Sequence, residues 1–147
     1  MPGSGSRLEI LLIEDSDTDV RLFEMAMGKA RFPANLNVVK DGGEALRYLR
    51  REGAAFRAVI PDIIVLDWNL PLVNGVEVLR EIRADSDLAD IPVIVFTTSK
   101  DQEDMIASYE LCANCYMTKP SGLREYLKIF DVIEELWLRL TGEIPGD

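Results

Sequence analysis

Residues able to do chemistry together stand at the ends of apolar runs in this chain: the acidic pair Glu14-Asp15 after Leu8 to Ile13, Asp67 after Ile63-Ile64-Val65-Leu66, Thr97 after Val93-Ile94-Val95-Phe96, and Lys119 shortly after Cys115-Tyr116-Met117. Near-continuous aliphatic runs belong to parallel strands covered on both faces, and in open parallel sheets ligands bind in the crevice at the carboxyl ends. Three acids, a hydroxyl and an ammonium would then share one rim. Carboxylates about 4 Å apart repel by roughly 4 kcal/mol at an effective dielectric of 20, which favours a raised pKa or a bound hard cation. Magnesium suits such a site: it takes oxygens from one or two carboxylates, keeps waters, and leaves positions for a phosphoryl group. The plainer reading makes Glu14, Asp15 and Asp67 caps of turns and helices, Lys119 a surface lysine, Thr97 a strand residue and Tyr116 a core aromatic. It does not explain why Thr97 and Lys119 arrive at the same rim.

The elements that must position these groups alternate. Leu8 to Ile13 reads as a strand, and Ser16-Asp17-Thr18-Asp19 supplies capping groups for a helix from about Thr18 to Ala30. Leu36 to Val39 is a short strand, and Asp41-Gly42-Gly43-Glu44 is a capping-box pattern with Asp in the first place, ahead of a helix through Leu49. Arg50 to Pro61 is a loop before the Asp67 strand. Val76, Val78, Leu79 and Ile82 give a helix from Gly75 through Ala84, and Ser99 with Gln102 offers a second capping box for a helix reaching Leu111. A last helix spans roughly Leu123 to Leu140. Strand and helix five times over, with short connections, predict an α/β doubly wound, five-stranded parallel sheet of flavodoxin-like (βα)5 type, strand order 2-1-3-4-5. The expected domain is 7–140, with flexible termini at 1–6 and 141–147 and no room for an output domain.

Composition narrows the function. The chain has 147 residues, 48% of them hydrophobic, and a net charge of −10 from 16 basic and 26 acidic residues, which disfavours direct nucleic-acid binding through phosphate contacts. No apolar run approaches membrane-spanning length and Met1-Pro2-Gly3-Ser4-Gly5-Ser6 lacks the core of a signal peptide, so a cytoplasmic protein is expected. The chain contains no histidine. That excludes Ser-His triads and histidine-ligated metals, and it requires any phosphohistidine donor to be another molecule. Cys112 and Cys115 form a C-x-x-C, but it follows a helical pattern and precedes a strand, the reverse of a redox motif, and is read as ordinary buried cysteine.

Glu14-Asp15, Asp67 with Asn69, Pro71 and Gly75, Thr97, and Lys119-Pro120 together resemble a two-component response-regulator receiver domain, over Leu8 to Leu140. The resemblance implies Asp67 as phosphoacceptor, Asp15 as ligand to Mg2+, Glu14 as holder of metal-bound water and Asn69 as donor of a backbone carbonyl to the metal. It also implies Thr97 hydrogen-bonding the phosphoryl group, Lys119 pairing with it, and Tyr116 as an aromatic that turns inward on activation. Such a protein is not a conventional enzyme beyond self-phosphorylation from a donor and autodephosphorylation; its partner is a sensor histidine kinase. Glu14 in place of the usual Asp, and Ser121 where an aromatic is usual, depart from the commonest pattern. The loop before Pro61, Thr97-Thr98-Ser99, Asn114-Cys115-Tyr116 and Glu134-Glu135-Leu136-Trp137 are similar to stand-alone regulators paired with bacterial phytochrome kinases.

Three other functions compete. A haloacid-dehalogenase-like, magnesium-dependent phosphatase also places Asp after an apolar strand, but its second Asp, two positions on, is Asn69 here. A flavodoxin-type binding module would need more than Gly42-Gly43 for a phosphate turn. A receiver-like scaffold that is never phosphorylated would not need the intact set of acids, Thr97 and Lys119. Trp68 and Thr98 adjoin the site and are expected to restrict water there. In the last helix, Leu123, Tyr126, Leu127, Phe130, Ile133 and Trp137 fall on one side while Ile129, Val132, Leu136 and Leu140 widen the apolar surface beyond one core-facing stripe. The excess predicts a homodimer, with Ile129, Val132, Leu136 and Trp137 at its interface.

Overall fold

Along the apolar runs, successive side chains go to opposite faces, and both faces are covered. In a computed structural model, which describes residues 7–53, 59–120 and 122–145, Ile10, Leu12, Ile63, Val65, Ile94 and Phe96 enter one core, and Leu11, Ile13, Ile64, Leu66, Val93 and Val95 enter the other. This double burial is why the runs look continuous rather than alternating. The elements are β1 (Leu8–Ile13), α1 (Asp17–Met27), β2 (Ala34–Val39), α2 (Gly42–Leu49), β3 (Ile63–Leu66), α3 (Gly75–Ala84), β4 (Val93–Thr97), α4 (Gln102–Glu110), β5 (Cys115–Thr118) and α5 (Leu123–Thr141). The sheet is parallel, in the order β2-β1-β3-β4-β5. Helices α1 and α5 cover the first face, where Phe23 packs on Phe130 with centroids 4.9 Å apart; α2 and α3 contribute to the second.

Several boundaries move for local reasons. β2 begins at Ala34 rather than Leu36, because pairing along Leu8↔Ala34 and Glu9↔Asn35 recruits two residues of low strand propensity. Ser16 caps α1 by accepting from the Asp19 amide, so the helix starts at Asp17, and it stops at Met27 rather than Ala30. Asp41 caps α2 as expected, its carboxylate accepting from Glu44 N at 2.7 Å. Ser99 does not cap α4: Asp101 does, accepting from Glu103 N, while the Ser99 hydroxyl donates to Asp104. Cys112 is exposed and Cys115 half-buried, which corrects the reading of both as buried; burial raises the Cys115 thiol, so β5 holds no activated thiolate. Ser121 lies outside the described residues, as do 1–6 and the last two of 141–147.

The dimer reading of α5 needs a larger correction. Ile129 and Leu136 are buried at 0% and 8% exposure, in the same core as Tyr126, Phe130 and Ile133, and Val132 and Trp137 pack partly against it. The wide apolar face meets both the sheet and α1, which consumes the width that seemed in excess. Leu138 and Leu140 are the α5 aliphatics left exposed.

At the foot of the sheet, the Arg83 guanidinium of α3 donates to the carbonyls of Ala89, Ile91 and Cys112 and to Asn114 Oδ1, which also accepts from Val93 N. One side chain thus ties α3 to the starts of β4 and β5. In the loop after β3, Leu72 has φ 65° and is 89% exposed, so it bears left-handed strain with no burial to offset it. Leu72→Gly is expected to raise stability by roughly 0.5–1 kcal/mol, the relief of strain outweighing glycine's extra unfolded-state entropy. The check is the urea midpoint at unchanged slope.

Candidate functional site

The register brings the predicted groups together. β1 and β3 pair Ile13 with Leu66, and Asp67 N donates to Ile13 O at 3.0 Å, so the residues leaving both strands emerge side by side. β4 and β5 pair Thr97 with Thr118, and Lys119 N donates to Thr97 O at 2.7 Å, which seats the lysine backbone on the same rim. Gly75 allows the loop after β3 to fold back: a Cβ there would lie 2.6 Å from Asp67 O and 2.7 Å from Trp68 Cα. Only a residue without a side chain lets α3 start that close to the acid.

Glu14, Asp15 and Asp67 each offer a carboxylate oxygen, all within 4.8 Å of one another. Glu14 and Asp67 are buried and Asp15 is exposed. The Lys119 ammonium, its side chain only 4% exposed, contacts Glu14 Oε1, Asp19 Oδ2 at 2.9 Å and Asp67 Oδ2 at 3.1 Å. Asp67 Oδ1 accepts from Asn69 N at 3.1 Å, and the Asn69 side-chain amide lies 3.4 Å from Thr97 Oγ1, which Ser99 N also approaches. Tyr116 donates its hydroxyl to Ser99 O at 2.9 Å, tying β5 to the loop that follows Thr97. Trp68 is buried, packed in the second core, and Thr98 is exposed.

Burial pushes the Glu14 carboxyl up to about 8, with the Asp67 charge adding to the rise and Lys119 opposing it. Burial alone would lower the Lys119 ammonium, but hydrogen bonds to Glu14 and Asp19 and the Asp67 charge outweigh it and hold the lysine protonated. One ammonium therefore contacts three carboxylates, Glu14, Asp19 and Asp67, and the three acids that converge, Glu14, Asp15 and Asp67, are hard oxygen donors in the arrangement a divalent cation takes. The donor set fits a metal.

A model of the response regulator receiver domain family matches residues 10–131. The chain belongs to that family. Receiver domains are not a conventional enzyme family, and the phosphatase and scaffold readings gain no support from the match. Among its relatives is response regulator Rcp1 of Synechocystis sp. (strain PCC 6803), 43% identical over 137 residues, with 93% of this chain and 92% of Rcp1 covered. The crystal structure of the phosphorylated cyanobacterial phytochrome response regulator RcpA superposes with a TM-score of 0.84 at 41% identity, over 96% of this chain and 99% of that one. The Mn2+-bound form of Rcp1 gives 0.83 at 41% identity, over 94% and 99%. A divalent metal in that relative agrees with the acidic cluster here.

Sequence reasoning missed two members of the site. Asp19 was read as a capping group, yet it bridges Lys119 and Tyr126, whose buried hydroxyl donates to Asp19 Oδ1 at 2.8 Å. Those bonds lower the Asp19 carboxyl against the opposing effect of burial, while burial and Asp19 together raise the Tyr126 phenol. The available signal was that a core tyrosine needs a hydroxyl partner.

Proposed function

We propose that this receiver domain takes a phosphoryl group onto Asp67 from a sensor histidine kinase of the phytochrome type, with Mg2+ bound by Glu14, Asp15 and Asp67 and by Asn69 through its backbone carbonyl. The observation that carries the reading is the convergence of those three carboxylates within 4.8 Å beside the Lys119 ammonium, 3.1 Å from Asp67. An Asp67 oxygen attacks phosphorus as the donor's P–N bond breaks; Lys119 and the Thr97 hydroxyl then meet the charge on the phosphoryl oxygens. Bound magnesium would neutralise part of that charge and bring the two anionic reactants together. Drawing Thr97 toward the phosphoryl group displaces the loop at Ser99, and Tyr116, bonded to Ser99 O, follows it inward as the switch. The kinase partner follows from the phytochrome response regulators that the chain resembles, and autodephosphorylation is the expected return step. The receiver unit is taken as 7–140 and its setting as cytoplasmic, without a nucleic-acid surface; among the described residues no helix is long and apolar enough to cross a membrane. The test is incubation with acetyl phosphate and magnesium, followed by mass spectrometry for an acid-stable, base-labile phosphoryl adduct on the Asp67 peptide. No adduct there would reject the reading.

Magnesium is expected to raise the thermal midpoint, because a ligand bound only by the native state contributes about 2.7 kcal/mol at a hundredfold excess over its dissociation constant. Asp15→Ala should remove most of that gain. Equal midpoints in millimolar magnesium and in chelator would count against the metal site.

A homodimer on α5 also belongs to this proposal, shifted to the end of the helix. Leu138 and Leu140 are exposed there beside the half-buried Trp137, and Ile144 follows. Leu136→Glu would disrupt the core, so the informative variant is Leu140→Glu. Wild type should sediment as a concentration-dependent dimer and the variant as a monomer; a monomeric wild type at high micromolar concentration, with and without phosphodonor, would dismiss the dimer.

A further inference from the structure

We propose that Asp19 is a positioning residue for Lys119, holding the ammonium beside Asp67 when Glu14 is drawn to a divalent cation; the inference rests on the reading of Asp67 as phosphoryl acceptor. An ammonium has three N–H donors, and here three carboxylates take them: Glu14, Asp19 and Asp67. Two of those acceptors belong to the convergent acid cluster and change role in the reaction. Glu14 turns its charge to the cation, and Asp67 becomes an acyl phosphate. Asp19 lies outside that cluster and is the one carboxylate of the three that can keep its bond to Lys119 throughout.

Its own orientation is fixed from the far side. Asp19 Oδ1 accepts from Tyr126 OH at 2.8 Å, and Tyr126 is 1% exposed, with its ring edge-on to Phe96 at 5.3 Å. Asp19 Oδ2 accepts from Lys119 Nζ at 2.9 Å. The lysine is thus held by its main chain on Thr97 O and by its tip on Asp19, and the donor released by Glu14 is left aimed at the phosphoryl position. Without Asp19, the long flexible side chain would lose part of this preorganisation and would have to recover it when phosphate arrives. The competing explanation is structural: an acid in the first turn of α1 stabilises that helix through its dipole, whatever the lysine does.

The test uses the full chain carrying Trp137→Phe, which leaves Trp68 next to Asp67 as its one tryptophan, and beryllofluoride, a mimic of a phosphoryl group on a carboxylate, followed by tryptophan fluorescence. In saturating magnesium, Asp19→Asn is expected to raise the half-saturating beryllofluoride concentration about tenfold, the scale of one charge-assisted hydrogen bond. The half-saturating magnesium concentration without beryllofluoride should move less than about threefold, since Asp19 is not in the acid cluster. Tyr126→Phe keeps the charge and the core ring and is expected to raise the beryllofluoride value by about threefold, which stands as the test if Asp19→Asn does not fold. A role confined to the α1 dipole would lower the urea midpoint and leave beryllofluoride binding unchanged. Unchanged or tighter binding in the variants, with a responsive wild type, overturns the role of Asp19 alone. A wild type that does not respond to beryllofluoride overturns the phosphoacceptor reading with it.

Discussion

Asp67→Asn is expected to abolish phosphorylation by acetyl phosphate in magnesium while leaving the fold intact. The substitution keeps the shape of the side chain and removes its anionic nucleophile, and an amide cannot form the acyl phosphate. The loss should exceed roughly a thousandfold, because covalent transfer has no alternative acceptor with the same surroundings. Glu14 is committed to Lys119 and to the amide of Ser16, and Asp15 is exposed, with no ion pair among the described residues. Stability should change by no more than about 1 kcal/mol, since the amide oxygen can still accept from Asn69 N while one of several crowded negative charges is lost. Intact-mass and peptide mass spectrometry read the adduct, and thermal melting reads the fold. An adduct formed at the wild-type rate would place the nucleophile on another residue.

Gly42→Ala is expected to destabilise the protein by about 3 kcal/mol, a sign opposite to the one helix propensity gives. Gly42 is the first residue of α2, where alanine would ordinarily gain up to about 1 kcal/mol. A Cβ at Gly42 would overlap the carbonyl oxygen of Val73, and would lie 2.7 Å from its carbon and 2.8 Å from Val73 Cβ. Two of these are backbone atoms, which cannot swing aside as the end of a long side chain can, and overpacking of this kind costs roughly 1–3 kcal/mol or more. Val73 sits in the loop that carries the chain from Asp67 to α3, so the same variant should slow phosphorylation as well. A urea midpoint equal to or above wild type would show that the approach of α2 to this loop is looser than the structure has it.

What could be read in advance follows from which signals are local. The strands β1, β3 and β4 announce themselves because both faces are buried, and their terminal residues Glu14, Asp67 and Thr97 then share a rim by topology alone. Asp41 precedes a helix by one residue and fixes its start through a side-chain bond to the third amide onward, and in the structure Asn74 does the same for α3, a cap not read from the sequence. β2 was cut short because Ala34 and Asn35 acquire strand geometry from β1 rather than from their own preferences. Ser99 lost the capping position to Asp101, a competition between neighbouring acceptors that a pattern of four residues does not resolve. Asp19 and α5 failed for a deeper reason. Whether an acid one turn into a helix points to solvent or to a lysine 100 residues away, and whether an aliphatic on a wide face meets a sheet or open water, depends on how α1 and α5 pack, and neither sequence contains that alone.

The Arg83 clamp makes the two ends of the sheet mechanically unlike. At the foot, four acceptors hold β4, β5 and α3 to one rigid guanidinium, so relative sliding there would break several bonds at once. At the rim, β4 and β5 meet the elements across them through side-chain tips, Lys119 on Glu14, Asp19 and Asp67 and Asn69 on Thr97, while Tyr116 bonds the loop after β4. The amides of the rim are therefore expected to exchange with solvent sooner than those near Arg83. Arg83 thus anchors the end of the sheet opposite Asp67.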